Sequence, residues 1–172
     1  MDLRDYVRDI PDFPRPGIVF KDITPLLLDP AASGAALGGP VEAARARKPE
    51  LAVRIEARGL IFGAAIAQTL GVGFAPVRKP GKLPAEVVSV AYELEYGTDA
   101  LELHADAVAD GTAVLVHDDL IATGGTATAT VEVVESLGGR VVGCSFLIEL
   151  AFLGGRERLG RHPVDGLIRY DA

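Results

Sequence analysis

Residues 113–126 read AVLVHDDLIATGGT, and this stretch decides the predicted fold. Four apolar residues predict a buried strand, two acids follow, and a loop of threonine and glycine leads into a helical pattern. In a parallel α/β sheet, ligands bind at the carboxyl ends of strands, where loop N–H groups and a helix N-terminus attract an anion. The stretch therefore predicts a phosphate site, to which Thr123 and Thr126 would add hydroxyl donors.

Asp118 and Asp119 do not suit a phosphate, but carboxylates accept hydrogen bonds from the vicinal hydroxyls of a sugar. The predicted ligand is therefore a sugar phosphate such as ribose 5-phosphate. The alternative is a strand end capped by Asp119 beside an ordinary tight turn. The sequence contains neither a Walker A pattern nor Gly-x-Gly-x-x-Gly, which disfavours ATP hydrolysis and dinucleotide chemistry.

Strand and helix patterns alternate on both sides of this stretch. Strands are predicted at 51–55, 74–77, 113–116 and 141–148, and helices at 60–70 and 126–137. This order predicts an α/β fold, a mainly parallel twisted sheet flanked by helices. Between the halves, residues 88–97 and 101–104 alternate with period two, which predicts a protruding antiparallel pair that could cover a site.

The amino-terminal part has weaker patterns. Apolar residues at helical spacing predict a short helix over about residues 3–10, and three prolines within 11–17 predict an ordered loop. Another helix should begin at Asp29-Pro30. We expect Gly38-Gly39-Pro40 to break it before a second helical piece over about 41–48.

Composition limits the class of protein. The 172 residues, 49% apolar and 24% charged, predict a single domain over 1–172. Without a long apolar run or a signal-like start, we expect a cytoplasmic protein with no membrane contact. A net charge of −7 and the absence of tryptophan argue against nucleic acid as a partner. The single cysteine, Cys144, cannot form an intrachain disulfide and is predicted to lie in the core.

Two further segments carry charge next to a predicted strand. Residues 78–82 contain the cations Arg78, Lys79 and Lys82 with no acid between them, which predicts a pyrophosphate clamp or, alternatively, a solvated surface. Residues 55–59 end a strand and begin a helix, so that Arg58 would lie near an anion-binding helix start and Gly59 would permit an unusual backbone angle. A surface ion pair between Glu56 and Arg58 is the other interpretation.

The motifs resemble a known family. Residues 116–126 are similar to the motif that binds phosphoribosyl pyrophosphate (PRPP) in type I phosphoribosyltransferases. Residues 10–27, 56–59, 78–84 and 94–97 resemble signatures of the adenine phosphoribosyltransferases, in family order across nearly the whole chain. The resemblance implies the type I phosphoribosyltransferase fold, with an amino-terminal hood of about 1–27, a core of about 28–172 and a flexible β-hairpin loop.

The resemblance also implies a role for each site residue. Asp118 and Asp119 would hold the ribose hydroxyls, and Glu95 would act near N7 of the base while Tyr96 helps to close the loop. The catalytic residues would be Glu95, Arg58 and Lys82. The other predicted substrate contacts fall in three groups: Ala122, Thr123, Gly124, Gly125 and Thr126 for the 5-phosphate; Arg58, Arg78, Lys79 and Lys82 for the pyrophosphate; Val19, Phe20 and Lys21 for the adenine.

The implied reaction is a step of purine salvage, in which adenine and PRPP give AMP and pyrophosphate. Mg²⁺ would be bound mainly through PRPP and not by the protein alone, and the protein would be a homodimer. Two alternatives stay open: a phosphoribosyltransferase for another nucleobase, and a non-catalytic regulator that senses PRPP or nucleotides. Four residues depart from the usual family pattern: Lys21, Arg54, Leu60 and His117.

Overall fold

The computed structural model describes residues 1–56, 58–93 and 98–172. The chain forms two compact units, Met1–Gly39 and Pro40–Ala172. Within the described ranges, no helix is both long and apolar enough to span a membrane. The division into a hood of 1–27 and a core of 28–172 stays a prediction.

The first unit begins with a 3-10 helix, Leu3–Tyr6, and not with the longer helix that the spacing predicts. Strand β1, Arg8–Pro11, pairs antiparallel with strand β2, Val19–Asp22. Ion pairs join the strands, with Arg8 Nη2 2.6 Å from Asp22 and Lys21 Nζ 2.7 Å from Asp9. The predicted helix is wrong beyond Tyr6 because this segment pairs with a strand that local periodicity does not reveal.

Two helices follow: α1, Thr24–Leu28, and α2, Pro30–Arg45. Asp29 Oδ1 accepts hydrogen bonds from the N–H groups of Ala31 and Ala32, which confirms the predicted start of α2. The predicted break at Gly38-Gly39-Pro40 is wrong, because α2 continues through Pro40. Buried apolar residues flank the proline on both sides, and packing of this kind outweighs weak local propensity. They are Ala32, Ala36, Val41 and Ala44.

The second unit contains a parallel sheet of five strands in the order β4-β3-β7-β8-β9. The strands are β3 (Leu51–Ile55), β4 (Gly73–Val77), β7 (Ala113–Ile121), β8 (Arg140–Leu150) and β9 (Val164–Tyr170). Helix α3 (Gly59–Leu70) follows β3 and contacts β3, β4 and β7. Helix α4 (Gly125–Ser136) follows β7 and contacts β7 and β8. These elements confirm the predicted α/β class with a parallel sheet.

The remaining elements complete this unit. Strands β5 (Val87–Glu93) and β6 (Thr98–His104) form the predicted antiparallel pair, and both contact α4. A 3-10 turn, Ala151–Leu153, and the short helix α5, Gly155–Arg158, lead to β9. Neither α5 nor β9 is predicted, because the periodicity of this last segment is weak.

Strand β7 is longer than predicted. It pairs with β8 as far as Ile121, opposite Glu149, so that Asp118 and Asp119 lie within the strand and not beyond its end. The backbone ladder with β8 supplies hydrogen bonds that keep polar residues extended.

Apolar side chains of the sheet pack on both faces. On the face toward α4, a core of buried residues includes Val53, Val114, Val116, Leu103 and Val131. Because side chains alternate along a strand, Arg54 and His117 lie on the opposite face, toward α3. Both are fully buried, so the interior of the sheet holds charged and polar side chains as well as apolar ones.

Candidate active site

The strand order reverses between β3 and β7. The chain passes from β3 outward to β4 and later returns to the other side of β3 with β7. Ligands of open α/β sheets bind at such a switch point, outside the carboxyl ends of the strands. The residues after β3 and the acids of β7 therefore meet at one edge of the sheet, although more than sixty positions separate them in the sequence.

The loop between β7 and α4 has the geometry of an anion site. Gly124 adopts φ +80°, in the left-handed region, and no described side chain caps the first turn of α4. The N–H groups of that turn can therefore donate to a ligand. The loop lines a cavity of about 170 Å³. Its walls are Asp118, Leu120, Ile121, Ala122, Thr123, Gly124, Gly125, Thr126 and Ala127.

A glycine outside this loop, Gly155 of α5, lies directly against the loop backbone. A Cβ atom on Gly155 would overlap the carbonyl oxygen of Ala122 and lie 2.9 Å from the nitrogen of Gly124. A Cβ atom on Gly124 would in turn lie 2.7 Å from the carbonyl oxygen of Gly155. The two backbones touch, so the position of the loop depends on a residue that the motif does not contain.

A second cavity, of about 260 Å³, lies next to the first. The two cavities share Asp118, Leu120 and Thr126. The larger one is also lined by Asp119 of β7 and by residues from four other segments: Ile55, Glu56, Arg58, Lys79, Tyr92 and Leu101. The loop cavity and a larger cavity lined by acids and cations thus adjoin each other at Asp118.

Asp118, the first member of the acid pair, is strongly perturbed by its surroundings. Burial, together with the neighbouring charge of Asp119, raises the pKa of Asp118, and the cation of Arg54 opposes this shift. Asp118 Oδ1 accepts a hydrogen bond of 2.9 Å from the N–H of Asp119. Asp119 is 8% exposed and forms an ion pair of 3.1 Å with Nε of Arg58. The pair therefore presents carboxylate oxygens in a protected place.

Two of the three cations of the 78–84 loop, Arg78 and Lys79, are paired with acids. Arg78 Nε lies 2.5 Å from Oε2 of Glu56, and Lys79 Nζ forms an ion pair with Asp99 of β6. The Asp99 hydrogen bond raises the pKa of Lys79, so this ammonium is firmly charged near neutral pH. Lys82 is exposed and lines neither cavity. A ligand that uses Arg78 or Lys79 must compete with these carboxylates.

Two interpretations of residues 55–59 need correction. Glu56 pairs with Arg78, whereas Arg58 pairs with Asp119, so the alternative interpretation, a Glu56–Arg58 ion pair, is not the arrangement found. Gly59 is not among the glycines with positive φ. Glycine is needed at this position because a larger residue would not fit: a Cβ atom there would overlap Nη2 of Arg54 and Oδ1 of Asp118.

The predicted adenine contacts lie in the first unit. Val19 is 47% exposed, and the rings of Phe20 and Phe13 meet edge to face at 5.1 Å. Nζ of Lys21 donates hydrogen bonds to both carboxylate oxygens of Asp9. Glu95 and Tyr96 lie outside the described residues, and the roles predicted for all five stay predictions.

Sequence patterns miss several residues of the site. Tyr92 lines the larger cavity and lies 3.3 Å from Asp99 Oδ2 through its hydroxyl, and burial raises its pKa. The period-two pattern of β5 signals a strand but not which of its residues faces the cavity. Asp99 and Gly155 have no motif around them, so only the tertiary arrangement identifies them.

The arrangement defines a class of protein. An acid pair, a Thr/Gly loop at a helix N-terminus and a group of cations meet at the switch point of a parallel sheet. The sequence model of the phosphoribosyl transferase domain matches residues 42–164, which include all of these parts. The chain belongs to the phosphoribosyltransferase family.

Full-length relatives specify the branch of that family. The chain is 54% identical to an adenine phosphoribosyltransferase of Solibacter usitatus over 170 residues, 99% of this chain and 98% of the relative. It is 55% identical to that of Desulfitobacterium hafniense, with the same coverage. The crystal structure of adenine phosphoribosyltransferase from Thermoanaerobacter pseudethanolicus has a TM-score of 0.96 at 53% identity and 98% coverage of both chains.

One solved relative contains a base. Adenine phosphoribosyltransferase of Saccharomyces cerevisiae, crystallised with an imino-altritol bisphosphate and adenine, is 40% identical, with a TM-score of 0.91 and 96% coverage of both chains. The resemblance to adenine phosphoribosyltransferases is thus confirmed in sequence and in fold.

Proposed function

We propose that this chain transfers the 5-phosphoribosyl group of PRPP to N9 of adenine, releasing AMP and pyrophosphate in purine salvage. The observation that carries the proposal is the junction of two cavities at Asp118. One cavity lies at a loop and helix N-terminus suited to a phosphate, and the other is lined by an acid pair and cations. A phosphorylated sugar with a second charged group fits such a junction.

The smaller cavity would hold the 5-phosphate. N–H groups of Gly125 and Thr126 in the first turn of α4 and the hydroxyls of Thr123 and Thr126 are the donors, and the helix dipole favours the anion. Asp118 and Asp119 would accept hydrogen bonds from the ribose hydroxyls. This fixes the sugar with its anomeric carbon toward the larger cavity.

The pyrophosphate would lie in the larger cavity. Arg58 and Lys79 line it, and Arg78 and Lys82 come from the same cation loop. Because charge builds on the departing oxygens as the anomeric bond breaks, preorganised cations stabilise the transition state more than the bound substrate. Arg58 and Lys82 are the cations to which we assign a catalytic contribution.

The residues present suit Mg²⁺ carried by PRPP. The acid pair supplies hard oxygen donors at the edge of the larger cavity, and Mg²⁺ usually keeps waters and substrate phosphates among its ligands. Bound Mg²⁺ would neutralise charge on the pyrophosphate. Asp118 and Asp119 are the described carboxylates that would support it through water or the ribose hydroxyls.

Base recognition and proton transfer complete the proposed reaction. The adenine would lie against Val19, Phe20 and Lys21. Glu95 would accept the proton of N7 while N9 attacks the anomeric carbon. Tyr96 would help the hairpin to exclude water, which would otherwise hydrolyse PRPP.

Pyrophosphate release tests the function directly. Purified protein with PRPP and Mg²⁺ should turn over with adenine and not with hypoxanthine, guanine, xanthine, uracil or orotate. Turnover with another base would make the chain a phosphoribosyltransferase of different specificity. PRPP binding without turnover of any base would favour the regulatory alternative.

Glu95→Ala should lower kcat with adenine by about 100-fold, which is within the usual range for general acid–base catalysis. The matched control is Glu93→Ala, which removes an exposed carboxylate from the same hairpin. Equal rates for the Glu95 variant and the control would remove Glu95 from the mechanism.

The homodimer and the cytoplasmic location are also proposals. Size-exclusion chromatography with light scattering should give twice the 18.0 kDa mass of one chain. A peak at the mass of one chain would contradict the dimer.

A further inference from the structure

Arg54 is a buried cation that the reaction described above does not use. It is the fourth of the five residues of β3 and has no exposed surface. Two glycines of α3 make room for it, because Cβ atoms on Gly59 and Gly63 would overlap its guanidinium and its aliphatic stem, respectively. A space shaped around one side chain by two glycines indicates a specific position for that side chain.

The described contact of the guanidinium is with the sugar-binding acid. Nη2 of Arg54 lies 3.5 Å from Oδ1 of Asp118, and Nε, Nη1 and Nη2 have no hydrogen-bond partner among the described residues. Burial lowers the pKa of Arg54 only to about 10, so it stays charged at neutral pH. Its charge is therefore balanced mainly by the acid pair, whose nearer member is Asp118.

Neither of the neighbouring basic residues, His117 and Arg58, supplies a positive charge next to Asp118. His117 lies opposite Arg54 in the β3–β7 register, and its Nδ1 is 3.2 Å from Oγ of Ser145 on β8. Burial, and next the charge of Arg54, keep the pKa of His117 well below its ordinary value, so the imidazole is neutral. Arg58 contacts the other member of the acid pair, Asp119.

We propose that Arg54 is a positioning residue for sugar binding, which fixes and charge-balances the Asp118 carboxylate on which the ribose hydroxyls dock. Arg54 cannot touch PRPP itself, because it has no exposed surface. Two contacts hold Oδ1 of Asp118, one from the Arg54 guanidinium and one from the N–H of Asp119. This inference rests on the proposed function, since it assigns the sugar hydroxyls to Asp118.

The test is PRPP affinity, measured by calorimetry with Mg²⁺ and no base. Arg54→Met keeps an unbranched, flexible side chain and removes the charge. We expect the Kd for PRPP to rise on the order of 10- to 100-fold, by analogy with the loss caused by removing residues that support metal ligands. Arg54→Lys restores the charge and should recover much of that loss. The KM for PRPP should follow the Kd, while the KM for adenine stays near the wild-type value.

Two further variants separate positioning from folding. Arg47→Met is the matched control, because Arg47 forms an ion pair with Asp165 and lines neither cavity; its PRPP affinity should equal that of wild type. Gly63→Ala displaces the stem of Arg54 without removing its charge, and should weaken PRPP binding in the same direction even if Arg54→Met does not fold.

The possible results distinguish failure of the proposed function from failure of the positioning role of Arg54. If the wild-type protein binds no PRPP, the proposed function is wrong. If wild type binds PRPP and both folded Arg54→Met and Gly63→Ala bind it equally well, the positioning role is wrong and the function stands. A loss in Arg54→Met that is absent in the Asp118→Asn background would show that Arg54 acts through Asp118.

Discussion

Asp119→Asn is expected to lower kcat/KM for PRPP about 100-fold and to leave thermal stability nearly unchanged. A hydrogen bond to a charged group contributes about 1.5–3 kcal/mol, and each 1.4 kcal/mol is roughly a factor of ten. The ion-pair partner of Asp119, Arg58, keeps 44% of its side chain exposed, so water solvates the guanidinium that the substitution releases.

Asp118→Asn should lower the same kcat/KM and, unlike Asp119→Asn, should also destabilise the fold. Arg54 would remain as a buried charge without its described ion-pair partner, which costs on the order of 3 kcal/mol. Steady-state kinetics at varied PRPP and calorimetric unfolding measure the two effects separately.

The control for both acid variants is Asp106→Asn, which changes an exposed acid in the turn after β6 and should match wild type in both measurements. We expect only Asp118→Asn to lower the free energy of unfolding, because Arg54 is buried whereas Arg58 is partly exposed. Equal destabilisation by the two variants would contradict this expectation. Full activity in both would remove the acid pair from sugar binding.

Gly155→Ala is expected to reduce kcat/KM for PRPP by about 100-fold although residue 155 lies outside the sequence motif. The added Cβ would overlap the carbonyl oxygen of Ala122 and lie 2.9 Å from the nitrogen of Gly124. Because both obstacles are backbone atoms, the loop must shift, and a misplacement of about 1 Å in a binding group can cost a factor of 10². Overpacking should also destabilise the fold by about 1–3 kcal/mol.

The control is Gly38→Ala, where an added Cβ meets nothing within 4 Å on helix α2. It should keep wild-type kinetics and gain about 0.5–1 kcal/mol of stability, because alanine favours a helix more than glycine does. Steady-state kinetics and denaturant unfolding of Gly155→Ala and Gly38→Ala measure the effects on activity and on stability. Wild-type kinetics in Gly155→Ala would show that the loop does not depend on this contact.

Local chemistry made most of the second unit predictable. The apolar runs at 51–55, 113–116 and 141–148 are long enough and apolar enough to be buried strands, and each lies within an observed strand. The helices that follow β3 and β7 start within one residue of their predicted positions. Because parallel strands need crossover connections, this alternation leaves few other arrangements.

The first forty or so residues were harder to predict. Residues 8–11 have apolar spacing compatible with a helix but pair with Val19–Asp22, and the glycines and proline at 38–40 lie inside α2. At residues 8–11 the deciding interaction is with partners distant in the sequence, and at 38–40 the buried residues on both sides of the proline accompany an unbroken α2. Periodicity and propensity describe only the chain within a few residues, so they cannot weigh these partners.

By itself, the sequence determined the α/β class with its parallel sheet, and its motifs identified the family, because burial patterns and loop chemistry are local properties. The site residues that it predicts keep their roles as proposals. Only the tertiary structure decided which cation meets which acid: Arg54 with Asp118, Arg58 with Asp119, and Arg78 with Glu56. The physical reason is that the strand order brings these segments together and that two glycines of α3 leave room for Arg54 beside Asp118. Neither spacing nor composition records which side chains a folded sheet brings together.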